Sequence, residues 1–224
     1  MRQQPTCCVT RISLTRQVRP VPLFGLDVPP HVSYGSAMAV PTGRYRLGTK
    51  SGRIVLRTYR DGLAATAGHD LIIELPDWSG ELTVDDDKAP ETLEVHVDIG
   101  ALSVRDGSGG LKPLTDRDRR EIATTARRLL STERHPEAVF TATRFEIGAE
   151  SGVIEGNLTL RGVSRPFRLH VVQSETGTYL GTGTVVQSAY GIKPYTAFFG
   201  ALKVRDTVDV EVEVTIPAPG DDTA

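Results

Sequence analysis

Between Val139 and Val171 the chain reads VFTATRFEIGAESGVIEGNLTLRGVSRPFRLHV, and few folds accommodate such a run. Val139 to Ile147 is rich in Thr, Val and Phe, and Gly148-Ala149-Glu150-Ser151-Gly152 then turns the chain. From Ile154 the alternation is strict. Ile154, Gly156, Leu158 and Leu160 share one face, and Glu155, Asn157, Thr159 and Arg161 share the other. After Gly162 and Pro166 a third run sets Phe167, Leu169 and Val171 against Arg168 and His170. Side chains alternate faces along a strand, so three such runs joined by short turns predict an antiparallel meander with one dry and one wet face.

The rest of the chain extends that sheet. Arg44–Leu47 and Arg53–Arg60 predict a hairpin across Gly48–Gly52. Leu71–Leu75 and Trp78–Val84 predict strands interrupted by Pro76-Asp77, and Leu93, Val95, Val97 and Ile99 alternate with polar residues. Arg105–Pro113 has the composition of a Gly-rich connector. The spacing of Ile122, Ala123, Ala126, Leu129 and Leu130 predicts a helix over 115–130, with Thr115 as its N-cap and four arginines largely off the apolar stripe. Tyr179–Gln187 predicts a strand, and so does the stretch carrying Val204, Val208, Val210, Val212, Val214 and Ile216 on one side. Between them, Tyr190, Tyr195, Phe198 and Phe199 crowd a loop with Gly191, Pro194 and Gly200. Eight or nine antiparallel strands with one apolar face close into a barrel or stack as a sandwich. A barrel of about eight strands has room for side chains or one small ligand.

Composition narrows the function. A net charge of −2, with arginines scattered among acids, argues against a nucleic-acid groove. No run approaches the ~18 apolar residues of a membrane-spanning helix. Cys7 and Cys8 are adjacent and cannot staple a core, and no metal set or cofactor motif is present. Residues 1–40 are proline-bearing and aperiodic, which predicts a disordered or irregular tail. A barrel domain then spans 41–217, and 218–224 form a second tail. No apolar h-region follows Arg2, so a cytoplasmic location is expected, with Met1 and Met38 both candidate starts.

Two stretches carry a resemblance. Glu133-Arg134-His135-Pro136 with Val139-Phe140 resembles the "ERFP-x-x-x-F" stretch of the YceI-like family. Gly156-Asn157-Leu158-Thr159-Leu160-Arg161-Gly162-Val163-Ser164-Arg165-Pro166 resembles its "G-x-L-T-I-R-G-V-T-R-P" signature. The resemblance implies an antiparallel eight-stranded lipocalin-like barrel, mainly β, with one packed α-helix, and a long apolar cavity for isoprenoid or fatty amphiphiles. The chain departs from the family where an opening-strand His-Ser pair and a later His are usual. Lys50-Ser51-Gly52 and Tyr59 stand there instead.

The expected function is therefore a binding or carrier protein for an elongated apolar ligand: a polyisoprenoid, a fatty acid or an amide. Leu71, Ile73, Phe145, Leu158, Leu160, Phe167 and Leu169 are the candidate wall, and Tyr190, Tyr195, Phe198 and Phe199 the candidate entrance. His69, Asp70 and Lys193 are the candidate head-group contacts. The partner expected is a long-chain apolar small molecule, with no nucleic acid and no membrane insertion; a homodimer is compatible with the sequence. The alternatives are a small-molecule hydrolase or isomerase using His69 and Asp70 at the cavity mouth, or a ligand-free, stress-related scaffold. A chain starting at Met38 is expected to keep the thermal midpoint of the full chain, measured by circular dichroism. A fall of more than a few degrees would show that the preceding residues pack on the domain.

Overall fold

The computed structural model describes residues 40–175 and 177–216. Apart from Val40, the expected tails lie outside the described residues, as do Cys7 and Cys8. Eleven strands form one antiparallel sheet: β1 (Gly43–Gly48), β2 (Gly52–Thr58), β4 (His69–Leu75), β5 (Trp78–Val84), β6 (Pro90–Asp98), β7 (Ser103–Gly109), β8 (Glu137–Ile147), β9 (Ser151–Leu160), β10 (Val163–Glu175), β11 (Thr178–Val186) and β14 (Thr207–Thr215). A small second sheet joins β3 (Arg60–Asp61), β12 (Thr196–Ala197) and β13 (Leu202–Val204). The one α-helix among the described residues, α1, spans Asp116–Leu130.

The large sheet runs β1-β5-β6-β8-β9-β10-β11-β14-β2-β4-β7. That order cannot be flat. β1 and β2 stand eight places apart, which is roughly 38 Å at the usual strand spacing. Only Thr49, Lys50 and Ser51 connect them, a reach of roughly 14 Å. Likewise Pro76 and Asp77 alone join β4 to β5, again eight places apart. The sheet is therefore strongly curled, with short links bridging its two ends.

The expected strand count of eight differs from the eleven observed, for a physical reason. Three long runs are each broken by a corner: at Gly48–Gly52, at Pro76-Asp77 and at the 3-10 turn Ile99–Ala101. The halves of each run then pair with different partners. The expected hairpin between Arg44–Leu47 and Arg53–Arg60 is one casualty. Ser51 does turn back on Gly48, its N–H donating to the Gly48 carbonyl at 2.9 Å. Past that turn, however, β1 pairs with β5, while β2 pairs with β14 and β4. A second correction concerns 105–113. Its first half is β7, paired with β4 from His69↔Gly109 to Glu74↔Ser103. The last apolar run is likewise split, into β13 and β14.

The central meander forms as its alternation requires. Arg161 and Gly162, with φ of 53° and 74°, make the two-residue turn between β9 and β10, the geometry whose twist suits a hairpin. Gly156 sits opposite Phe167 in the ladder, and a side chain there would strike the Phe140 ring and the Thr141 carbonyl. The Phe140 and Phe167 rings meet edge to face, 5.7 Å between centroids, over the space that glycine leaves.

Helix α1 begins with a full capping box. Thr115 Oγ1 accepts from the Asp118 N–H at 3.2 Å, and the Asp118 carboxylate accepts from the Thr115 N–H at 2.9 Å. The Thr115 hydroxyl, which also donates to the Asp118 carboxylate at 2.7 Å, and then the Thr115 N–H hold that carboxyl below the usual aspartate range. The helix packs on β7 and the 99–101 corner, turning Ile122, Ala126, Leu129 and Leu130 toward the hollow of the sheet. Arg127 fastens it there. Its Nε donates to the Gly100 carbonyl and its Nη2 to the Leu102 carbonyl, both at 2.7 Å. Replacing Arg127 by Met is expected to cost about 2 kcal/mol, because two corner carbonyls lose charged donors. Urea unfolding checks this, and an unchanged midpoint would mean that the corner holds without the guanidinium.

Candidate functional site

The curled sheet and α1 enclose a cavity of about 910 Å³. That is the upper end of the range for small-molecule sites. Its walls are the inward positions of the strands: Leu56, Leu71 and Ile73, then Phe145, Ile154, Leu158, Leu160, Phe167 and Leu169, then Val208, Val210, Val212 and Val214. Many of these are only half-buried although they face inward, because they border empty space rather than other side chains.

The lining is not uniform along its length. Every Arg, Lys, His, Asp and Glu in it lies at the end where β2 finishes and β4 begins: Arg60, His69, Lys112, Asp118, Glu121 and Lys203. The opposite end, around Leu47, Ile54, Leu75, Trp78, Ile147 and Ile216, carries none of these; its titratable group is the Tyr179 phenol, whose pKa is pushed up by burial. At the polar end the contacts are specific. His69 Nε2 lies 2.8 Å from the Lys112 carbonyl, an acceptor only, so Nε2 carries the proton. Arg60 donates from Nη1 to the Gly68 carbonyl at 2.8 Å, and its backbone N–H donates to Asp70 at 2.8 Å. Gly109 and Gly110 make this packing possible, since a side chain on either would strike the Arg60 guanidinium or the His69 ring.

Just inside this end sits Thr58. It is 9% exposed, it lines the cavity, and its hydroxyl has no hydrogen-bond partner among the described residues. In the ladder it faces Leu71. A buried hydroxyl without a partner forfeits about 1–3 kcal/mol.

The sequence-derived candidates sort cleanly. Leu71, Ile73, Phe145, Leu158, Leu160, Phe167, Leu169 and Tyr195 line the cavity, as does His69. Tyr190 is buried but lies outside it, beside Arg165 and Pro166, where burial pushes its hydroxyl pKa up. Phe198 and Phe199 are not part of the wall either; they stand 64% and 114% exposed in a 3-10 turn. Asp70 and Lys193 are absent from the lining. His69 and Asp70 begin a strand, so they point apart, one to Lys112 and the other to Arg60, and form no dyad. Thr58, Arg60, Lys112 and Lys203 were not among the sequence candidates. The two family departures lie at opposite rims. Ser51 Oγ donates to the Gly48 carbonyl at the far turn, at 3.0 Å, whereas Tyr59 donates its hydroxyl to Asp209 at 3.0 Å beyond the end of β2.

A family model for the YceI-like domain matches residues 59–216. The chain belongs to the YceI-like family. A UPF0312 protein from Pectobacterium carotovorum is 33% identical over 93 residues, 42% of this chain and 43% of that one. A UPF0312 protein from Shewanella baltica is 33% identical over 127 residues, 52% of this chain and 61% of that one. This YceI-like chain thus spans about half the length of the curated relatives it matches. The crystal structure of Burkholderia cenocepacia BcnA superposes with a TM-score of 0.55 at 13% identity, over 75% of this chain and 98% of that one. At that identity the likeness is one of fold.

Replacing Thr58 by Val removes the orphan hydroxyl and keeps the side chain's shape. The ligand-free protein is expected to gain about 1 kcal/mol, a rise of roughly 2–4 °C in thermal midpoint. A fall would mean that the hydroxyl is satisfied in solution.

Proposed function

We propose that this YceI-like domain binds an elongated apolar amphiphile, a polyisoprenoid or a fatty acyl chain, with its tail in the far end of the barrel and an oxygen-bearing head at Thr58. Counted as bent runs, the strands act as eight staves around that ligand. The observation that carries the reading is the polarity of the cavity: a long, mostly apolar wall with its charged side chains and histidine clustered at one end. An apolar tail gains about 0.8 kcal/mol per buried methylene. The head fixes which way round the molecule lies, since the charged side chains and the histidine of the lining stand at one end only. Thr58 Oγ1 lies buried at the inner edge of this cluster and meets the head by a turn of its side chain into the cavity, and His69 and Arg60 stand next toward the rim. The catalytic alternative draws no support from the separate partners of His69 and Asp70.

Native mass spectrometry of gently purified protein is expected to show a copurified lipid, and the delipidated protein to take up a fluorescent acyl or polyprenyl probe. Val210→Trp places an indole in the wall and should cut that uptake at least tenfold while leaving the far-ultraviolet spectrum intact. Thr58→Val should weaken a hydroxyl- or carbonyl-headed probe about tenfold and leave a plain hydrocarbon probe unaffected. A protein that carries no lipid and binds none of a panel of polyprenyl and acyl amphiphiles would end the carrier reading.

A further inference from the structure

The cavity mouth is rimmed by apolar side chains held out in water. Of the seven large hydrophobic residues exposed among the described residues, five come from three loops at this one rim: Leu63, Leu111, Tyr195, Phe198 and Phe199. Leu63 is 100% exposed and Leu111 80%. The loops are tied to one another. The Ala64 N–H donates to the Ala201 carbonyl at 2.9 Å, joining the first loop to the aromatic one, and His69 reaches the Lys112 carbonyl in the third. Phe198 and Phe199 both have positive φ, 50° and 56°, a conformation that bulky residues rarely adopt. The strained turn presents the Phe199 ring outward instead of letting it fold back on the barrel.

The charges around the rim are equally selective. The whole chain has five lysines, and three of them lie at this rim: Lys112 and Lys193 in these loops and Lys203 in β13 beside them. None of the three is ion-paired among the described residues. The neighbouring acids are engaged: Asp61 accepts from the Gly62 N–H, Asp206 from the Ser188 N–H and hydroxyl, Asp118 closes the helix cap, and Glu121 pairs with Arg117. Aromatic rings with flexible, unpaired lysines beside them are the composition of a bilayer interface, where rings sit among head groups and lysines reach anionic phosphates. A second copy of this chain fits less well. A two-fold contact would place the same patch on both partners and set unpaired lysines against lysines.

We propose that this rim is a membrane-docking surface. Leu63, Leu111, Phe198 and Phe199 enter the interfacial layer of an anionic bilayer, Lys112, Lys193 and Lys203 bind its phosphates, and the cavity mouth opens onto the lipid. The docking is peripheral and involves no spanning segment; no helix among the described residues is long and apolar enough to cross a membrane. The purpose of the docking, transfer of an apolar ligand without a passage through water, rests on the carrier reading; the docking itself does not.

Flotation of the full chain with vesicles tests this. Wild-type protein is expected to float with phosphatidylcholine vesicles containing about a third phosphatidylglycerol, and less with phosphatidylcholine alone or in high salt. The double variant Leu63→Ser with Phe199→Ser should lose at least tenfold in vesicle binding while its thermal midpoint and its uptake of a fluorescent acyl probe, measured without vesicles, stay unchanged. Lys193→Gln should lose about fivefold, on anionic vesicles only. Wild-type protein left at the bottom of the gradient, or a double variant that floats as well as wild type, overturns the proposal. So does a wild-type dimer in sedimentation that the double variant dissociates without any vesicle binding. Flotation with no probe uptake would remove the carrier reading alone, and uptake with no flotation would remove the docking alone.

Discussion

The structure depends on three corners. A sheet of long antiparallel strands must bend to enclose a volume, and here the bending is concentrated at Gly48–Gly52, Pro76-Asp77 and Ile99–Ala101. Each corner lets one run change partners part-way along, so the short links between distant ladder positions become possible. Glycine and proline suit the first two corners because both interrupt ladder bonding. The third is a 3-10 turn whose N-cap, Asp98, accepts from the Gly100 N–H at 2.7 Å, and it is also the point where Arg127 ties down the helix. The helix that covers the cavity is thus anchored to the feature that shapes it.

Enclosing a volume and filling it are separate problems, and this chain solves only the first. Leu and Val dominate the inward positions, and two of the inward rings, Phe140 and Phe167, lie across the place of Gly156. The result is a largely apolar cavity with its charged side chains gathered at one end. Outside, the wet face is stitched by exposed cross-strand pairs such as Arg53 with Glu213 at 2.6 Å and Arg57 with Glu211 at 2.5 Å. Such pairs contribute little each. They place charge where water is, and leave the stability of the sheet to its ladder and its walls.

What could be read from the sequence was whatever is local. The β8–β9–β10 meander follows from alternation and turns within one stretch, and α1 from its cap and stripe. Partner choice is not local: Gly48–Gly52 announces a turn without saying that the strands on either side part company. The Gly107–Gly110 stretch resembled a connector because glycines have no side chain to betray a face. In the structure Gly107 and Gly109 pair with β4, and the bareness of Gly107, Gly109 and Gly110 makes room for Leu114, Arg60 and His69 in turn. Phe198 and Phe199 read as part of the cavity entrance because rings crowd that loop, and the left-handed backbone that turns them outward leaves no mark in sequence at a non-glycine residue. Thr58 is one threonine in a strand, distinguishable only once its neighbours are known to be apolar and its hydroxyl orphaned.

The pairing of β14 with β2 has a consequence in time. It joins residues such as Arg53 and Glu213, 160 positions apart. During synthesis β2 therefore waits with one edge bare until nearly all the rest of the domain has emerged. Domains dominated by such distant pairings fold slowly, and bare edges invite pairing with other chains. This domain is consequently most vulnerable to aggregation while it is being made, and a ribosome paused before Thr207 would hold it at that vulnerable stage.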